Sequence, residues 1–116
     1  MRLFAGMVST ALVMLPALAL AAAGPAPLPE PDPRTRNMSR YQIQLRTFDA
    51  CLLVQSRLQQ TTREAVHSAC SCYAKGTVAA MTRDEISFFQ TNSVFNDSAR
   101  DKALDFIDRC KLQRPF

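Results

Sequence analysis

The sequence predicts an all-α fold: a small disulfide-stapled bundle of three main helices plus one short helix, preceded by a signal peptide and a Pro-rich extended segment. Apolar residues recur at three- and four-residue spacing, which is the pattern of amphipathic helices. Helix-start signatures stand about twenty residues apart. Four cysteines in a short chain with an export signal predict disulfide bonds. With 116 residues, the chain has room for one domain.

Residues 1–23 have the composition of an export signal. Arg2 supplies a positive start, residues 3–15 are mostly apolar, and Ala21-Ala22-Ala23 fits the small-x-small cleavage rule. The alternative is an uncleaved anchor, because the whole stretch is about long enough to span a bilayer. We expect a cleaved signal peptide, a periplasmic or secreted destination, and no stable membrane span after cleavage.

A proline-rich segment follows the signal at residues 24–37. Five prolines occupy alternate positions from Pro25 to Pro33. Proline at this density excludes a helix or a central strand, so the segment is predicted to be an extended linker. The helical domain is then expected over residues 38–116, and export would place its cysteines in an oxidising compartment.

Four helices are predicted in this domain from their start signals. The capping boxes are Ser39 with Gln42, Thr61 with Glu64, and Thr82 with Glu85. Asn96 or Asp97 is the expected cap of the last helix. The third helix is predicted to be short, ending near Asn92, and Pro115 stops the last one.

The apolar spacing also predicts which faces are buried and how the helices are arranged. The expected buried stripe of the first helix comprises Tyr41, Leu45, Phe48, Leu52 and Gln55. Almost no loop separates the first two helices, which predicts an antiparallel hairpin. The last helix is expected to run antiparallel along the middle one, with the short third helix across their end.

Two of the cysteines, Cys70 and Cys72, stand two positions apart in the middle helix. Their side chains therefore differ by about 200° around the helix axis and mark the two edges of its apolar face. We expect one disulfide bond to leave each edge, to Cys51 on one side and to Cys110 on the other. The favoured pairing is Cys51 with Cys72 and Cys70 with Cys110. The alternative, Cys51 with Cys70 and Cys72 with Cys110, stays open.

No motif in the sequence carries catalytic or metal chemistry. His67 and Cys70 are three residues apart, but Cys72 points away from them and the spacing is not a zinc signature. His67 lies outside the apolar arc, which predicts a surface residue. A glycine-rich phosphate loop and a nucleophile–base–orienter trio are both missing from the sequence. We expect neither an enzyme nor a cofactor.

The charged residues are predicted to form a solvated surface. The net charge of +4 is spread along the chain without a basic run, which argues against nucleic-acid binding. Four aspartates recur along the last helix, at Asp97, Asp101, Asp105 and Asp108. Asp105 and Arg109 are spaced for a helical ion pair, so this row is interpreted as a solvated helix face.

Phe88, Phe89 and Phe95 form the most suggestive stretch for a binding role. Aromatic residues left outside a small core would be contact points for a partner. The expected function is an exported, non-enzymatic protein-binding module such as an inhibitor, an immunity factor or an envelope-assembly subunit. Its partner would be another envelope or secreted protein. The alternative is a small apolar-ligand or metal carrier of the cell envelope, which needs an apolar cavity or free thiols.

Overall fold

The structure is a computed structural model that describes residues 28–115. Its elements are a 3₁₀ turn at Pro33–Thr35 and the helices α1 (Arg40–Leu58), α2 (Arg63–Ala80), α3 (Arg83–Asn92) and α4 (Asp97–Arg109). No strand occurs between residues 28 and 115. The prediction of an all-α bundle of three main helices plus one short helix is confirmed. The predicted signal peptide, residues 1–23, lies outside the described residues.

Three of the four helices begin at the predicted cap. Ser39 opens α1 and Thr82 opens α3, each with a complete capping box formed with the Gln or Glu three positions later. Asn96 opens α4 by accepting a hydrogen bond from the N–H of Ala99 at 3.0 Å. These side chains satisfy N–H groups that the helices themselves leave without partners.

The start of α2 lies one residue later than predicted. Its cap is Thr62, whose hydroxyl accepts from the N–H of Ala65 at 3.2 Å. Thr61 still belongs to the end of α1, because its N–H donates to the carbonyl of Ser56 at 2.9 Å. Gln60 between them has a φ of 50°, the left-handed residue that typically ends a helix.

Helices α1 and α2 form the predicted antiparallel hairpin. At one end, the Arg40 guanidinium donates to the carbonyls of Val78 and Met81 at 2.6 and 2.9 Å. Nearer the turn, the rings of Phe48 and His67 meet edge to face, with their centroids 5.0 Å apart. The start of α1 therefore lies beside the end of α2.

Helix α4 runs antiparallel along another side of α2. Lys102, early in α4, donates to the carbonyl of Ala80 at the end of α2, over 2.8 Å. One turn later, the ring of Phe106 covers Gly76, whose position leaves no room for a Cβ atom. α2 is therefore the middle helix of the fold, in agreement with the predicted arrangement.

The two disulfide bonds join Cys51 to Cys70 and Cys72 to Cys110. The favoured pairing of Cys51 with Cys72 and Cys70 with Cys110 was wrong, and the alternative that stayed open is correct. Cys51 and Cys70 lie equally far from the α1–α2 turn, which places them at the same level of the hairpin. Cys110 lies one turn beyond the Phe106 contact, level with Cys72. One bond leaves each edge of α2, as expected.

The buried residues form two clusters along the bundle. The first lies where α3 meets the other helices and comprises Ile43, Val78, Met81, Ile86, Phe89 and Ala99. The second surrounds the disulfide bonds and comprises Cys51, Val66, Cys70, Ile107, Cys110 and Leu112. The short α3 thus closes one end of the bundle. At the other end, disulfide-bonded cysteines form part of the core.

The buried face of α1 differs from the predicted stripe. The buried row comprises Ile43, Thr47, Cys51 and Gln55. Tyr41 and Leu45 instead remain 64% and 43% exposed. Because Cys51 is bonded to Cys70, the row of α1 that contains Cys51 faces α2. Tyr41 and Leu45 of the predicted stripe therefore lie on a side of α1 that stays exposed. Thr47 is tolerated inside because its hydroxyl donates to the carbonyl of Ile43 at 2.8 Å.

The end of the predicted linker is packed against the domain. Of residues 24–37, the structure describes those from residue 28 onward, and the chain is not extended at Pro33–Thr35. Thr35 is fully buried, and its hydroxyl donates to the carbonyl of Gln90 at 2.9 Å. The side chain of Ser93 accepts from the N–H of Asp32 at 2.8 Å. These bonds to the end of α3 hold the segment against the domain, which explains why it is not the extended linker that the sequence predicts.

We predict that Gly76→Ala destabilises the protein. Alanine in a helix interior normally gains about 0.5–1 kcal/mol over glycine. Here the added methyl group would overlap the Phe106 ring, so we expect a net loss of about 1–3 kcal/mol. Urea unfolding of both proteins measures the change. Lys75→Ala, at the exposed neighbouring position, should change stability by less than about 0.5 kcal/mol. A Gly76→Ala protein more stable than the parent would contradict the close contact.

Candidate functional site

An apolar groove lies between α1 and the connection from α3 to α4. Its volume is about 490 Å³, and it is open to solvent rather than enclosed. Ala50 and Val54 of α1 form one wall, and Val94 and Phe95 form the other. Tyr73 of α2 lies between the two walls. Pro115 of the C-terminal segment completes the lining, so four separate parts of the chain build the groove.

A second depression of about 290 Å³ continues the groove toward α4. It shares Tyr73, Val94 and Phe95 with the first and is extended by Ala103 and Leu104, with Arg100 as its one charged lining residue among those described. The apolar surface thus runs from α1 across α2 to α4. An elongated surface of this kind suits an extended or helical apolar segment better than a round ligand.

The wall formed by Val94 and Phe95 is held in place by its neighbours. Ser93 ends α3 in the left-handed conformation, with a φ of 60°, and turns the chain toward α4. The ring of Phe95 then packs against that of Phe89, with centroids 5.6 Å apart. Because Phe89 belongs to the buried cluster at this end, the wall is anchored in the core.

Charged side chains border the groove at the α1 end. Arg46 lines it and forms an ion pair with Asp32 at 3.1 Å. Hydrogen bonds from Arg34, and then from Arg46, hold the pKa of the Asp32 carboxyl well below its usual range. Between the walls, burial raises the pKa of the Tyr73 hydroxyl, which therefore stays neutral. The interior of the groove is uncharged, and its border is ionic.

The C-terminal segment closes the other side of the groove. The Gln55 side chain binds the backbone of Gln113 twice, accepting from its N–H at 3.1 Å and donating to its carbonyl at 2.7 Å. Leu112 is buried in the core beside them, and Pro115 lines the groove. A buried glutamine of α1 thus positions the end of the chain.

The predicted partner-binding aromatics take three different positions. Phe89 is buried in the core cluster and also lines the groove, Phe95 is half-buried and lines it, and Phe88 is half-buried and does not line it. Their role in partner binding stays a prediction. Sequence reasoning missed Val54 and Tyr73, which line the groove together with Phe95. The signal for Val54 was an apolar residue off the main stripe of α1.

Among the residues weighed for metal or catalytic chemistry, Cys51 lines the groove and the others lie outside it. All four cysteines are in disulfide bonds. His67 is exposed, as predicted, and touches Phe48. Between residues 28 and 115, no group of three or more His, Cys, Asp or Glu side chains is placed to hold a metal ion. Over the same range, no helix has the length and apolar character needed to cross a membrane.

The aspartate row of α4 forms surface ion pairs. Asp105 binds Arg109 at 2.9 Å, as its spacing predicts. Asp108 binds Arg114 at 2.6 Å, and hydrogen bonds from this guanidinium lower the pKa of the Asp108 carboxyl. Both pairs are exposed to solvent, which screens their charges, so each contributes little to stability.

Glu85 is the buried carboxylate that sequence reasoning did not single out beyond its capping role. Its oxygens accept from the N–H of Thr82 at 2.8 Å, from the Ser98 hydroxyl at 2.9 Å and from the Lys102 ammonium group. Burial disfavours the charge, but these donors outweigh it and lower the pKa of Glu85 to about 2. The Glu85 carboxylate therefore links the start of α3 to α4, and its hydrogen-bond partners serve to stabilise the fold.

We predict that Glu85→Gln makes the unfolding free energy less dependent on pH in the acid range. The folded-state pKa is lowered, so the stability from Glu85 is present above its ordinary pKa of 4.5 and is lost as the pH falls to about 2. Unfolding free energies across that range should fall more steeply in the parent than in Glu85→Gln. The matched control Asp84→Asn, at an exposed position of the same helix, should keep the parental slope. Equal slopes for the parent and Glu85→Gln would refute this role.

Comparison with protein-family models, with curated proteins and with solved structures finds no match for this chain. The function therefore has to be inferred from the geometry of the groove and from the elements that hold it.

Proposed function

We propose that the protein is an exported, non-enzymatic protein-binding module that receives an apolar segment of another envelope or secreted protein in its groove. The groove between Val54 and Phe95 is the observation that carries this proposal. An inhibitor, an immunity factor or a subunit of an envelope assembly would each use such a site. The two disulfide bonds suit the oxidising compartment that export implies.

The shape of the groove supports a protein as its occupant. It is elongated and open along its length, so a segment of another chain can enter without any opening of the bundle. Its walls are fixed by the Cys51–Cys70 bond and by the packing of Phe95 on Phe89. A rigid site loses little conformational entropy on binding, which favours affinity.

The ionic border gives the occupant a second requirement. Arg46 lies at the edge of an otherwise uncharged groove, and its guanidinium is already oriented by Asp32. A segment with apolar residues along its length and a polar or charged group at one end would match both features. Apolar contact would supply most of the affinity, and the border would fix the direction of the segment.

A small apolar-ligand carrier is the second candidate function. The volume of about 490 Å³ lies in the range of small-molecule sites. The open side of the groove favours the protein over the ligand, because carriers usually enclose most of the ligand surface. A metal carrier has less support, since the thiols it would use are all oxidised.

Cross-linking from inside the groove tests the proposal. A photo-reactive amino acid at position 54 should form a covalent adduct with a distinct protein when the exported protein is irradiated in its own cell envelope. The same residue at position 53 serves as the control. Leu53 and Val54 are similarly exposed, at 38% and 42%, but only Val54 lines the groove.

We predict that Val54→Asp lowers the affinity for that protein by at least tenfold, whereas Leu53→Asp changes it less than about threefold. A carboxylate placed in the groove loses hydration without gaining a partner when an apolar segment binds. Binding titrations with the purified partner measure both values. Thermal unfolding verifies that the two variants are equally folded.

Two outcomes would overturn the protein-binding proposal. If adducts form equally at positions 53 and 54, the groove is not the binding surface. If native mass spectrometry of the exported protein instead shows a bound lipid-sized molecule that Val54→Asp removes, the carrier function is correct.

A further inference from the structure

We propose that the Cys72–Cys110 disulfide is a site of thiol–disulfide exchange with a dithiol protein, whereas Cys51–Cys70 is a permanent structural bond. This inference is independent of what the groove binds. It is based on the different surroundings of the two disulfide bonds, each of which is formed by a cysteine of α2. Exchange requires that an attacking thiolate reach one sulfur along the bond axis, so access decides which disulfide reacts.

The two disulfides differ in their exposure to solvent. Cys51 and Cys70 are 7% and 0% exposed; Cys51 lines the groove, and Cys70 is fully buried. Cys110 is 8% exposed, but its partner Cys72 lies on the surface of α2. Cys72 is therefore the one cysteine of the four that is exposed to solvent in the folded chain.

Cys72 and Cys110 open onto a surface cleft of about 510 Å³. Arg109 and Lys111 line the same cleft, one on each side of Cys110 in sequence. Of the described residues, none that lines it is acidic. An approaching thiolate therefore meets Cys72 in a positively charged depression, which favours encounter with an anion.

The same cations assist the leaving group. Cys110 follows the last turn of α4, where the helix end carries a negative partial charge that opposes a thiolate. Arg109 is partly neutralised by Asp105 at 2.9 Å, so Lys111 carries most of the compensating charge. Lys111 has a φ of 59°, a left-handed conformation that turns the chain back over the end of α4.

The exchange reaction follows from this geometry. A thiolate of a Cys-x-x-Cys protein attacks the sulfur of Cys72, the bond to Cys110 breaks, and Cys110 leaves as a thiolate. The second thiol of the dithiol protein, as its thiolate, then attacks the mixed disulfide and releases Cys72 as a thiolate. Both cysteines take up protons from solvent, and the dithiol protein leaves oxidised, so two electrons have moved to this chain.

Exchange at this site would release one part of the fold and leave another fixed. The bond between Cys51 and Cys70 keeps the α1–α2 hairpin joined. The end of α4 would lose its covalent link to α2, and the burial of Leu112 and the two bonds to Gln55 would still hold the segment after Cys110 against α1.

Graded reduction of the native protein tests the proposal. The protein is treated with dithiothreitol, alkylated at intervals and digested, and the labelled cysteines are identified by mass spectrometry. We expect Cys72 and Cys110 to be labelled together, at least tenfold faster than Cys51 and Cys70. Labelling of all four cysteines at one rate, or of Cys51 and Cys70 first, would overturn the proposal.

A trapping experiment identifies the attacked sulfur and the role of the cation. A Cys-x-x-Cys oxidoreductase that lacks its resolving cysteine should form a mixed disulfide with Cys72. An adduct on another cysteine, or none, would contradict the assignment.

Lys111→Gln should slow adduct formation about two- to threefold, because one screened charge is lost. Arg36→Gln, an exposed cation outside this cleft, is the matched control and should leave the rate unchanged. An unchanged rate in Lys111→Gln would overturn the role of the cation.

Discussion

The fold depends on a single helix that is covalently bonded at two edges. Cys70 fixes α1 on one side of α2, and Cys72 fixes the end of α4 on the other. These bonds reduce the conformational entropy of the unfolded chain by several kcal/mol in total, which is large for a core of this size. They also set the rotation of the outer helices. The groove follows from the rotation of α1, because Ala50 and Val54 face the connection from α3 to α4 across Tyr73 of α2.

Helix positions could be predicted from the sequence because they depend on local signals. Ser39, Thr82 and Asn96 cap their helices through bonds that span three residues. The burial of Thr47 in α1 could not be predicted from its polarity, whereas Gln55 belongs to the predicted stripe. Thr47 and Gln55 are buried because each satisfies its polar atoms, one within its own helix and one with the C-terminal segment. Only the tertiary position of that segment reveals the second partner.

The groove was even less accessible to sequence reasoning, because four distant parts of the chain build it. Tyr73 and Val54 are ordinary apolar helix residues in sequence, and Phe95 is one aromatic among seven phenylalanines. The left-handed conformation of Ser93 directs the Val94–Phe95 wall, and no glycine marks that turn. The disulfide pairing could not be predicted from the sequence for a similar reason. Both pairings satisfy the spacing of Cys70 and Cys72, and only the register of the packed helices chooses between them.

The most direct measurement of the central claim is a count of free thiols in two double variants under native oxidising conditions. Cys72→Ser/Cys110→Ser retains Cys51 and Cys70, which are bonded in the structure, and should contain no free thiol. Cys70→Ser/Cys110→Ser retains Cys51 and Cys72, which belong to different bonds, and should contain two. The reverse result would mean that α2 is bonded to its neighbours in the other arrangement, and both the rotation of α1 and the groove derived from it would be incorrect.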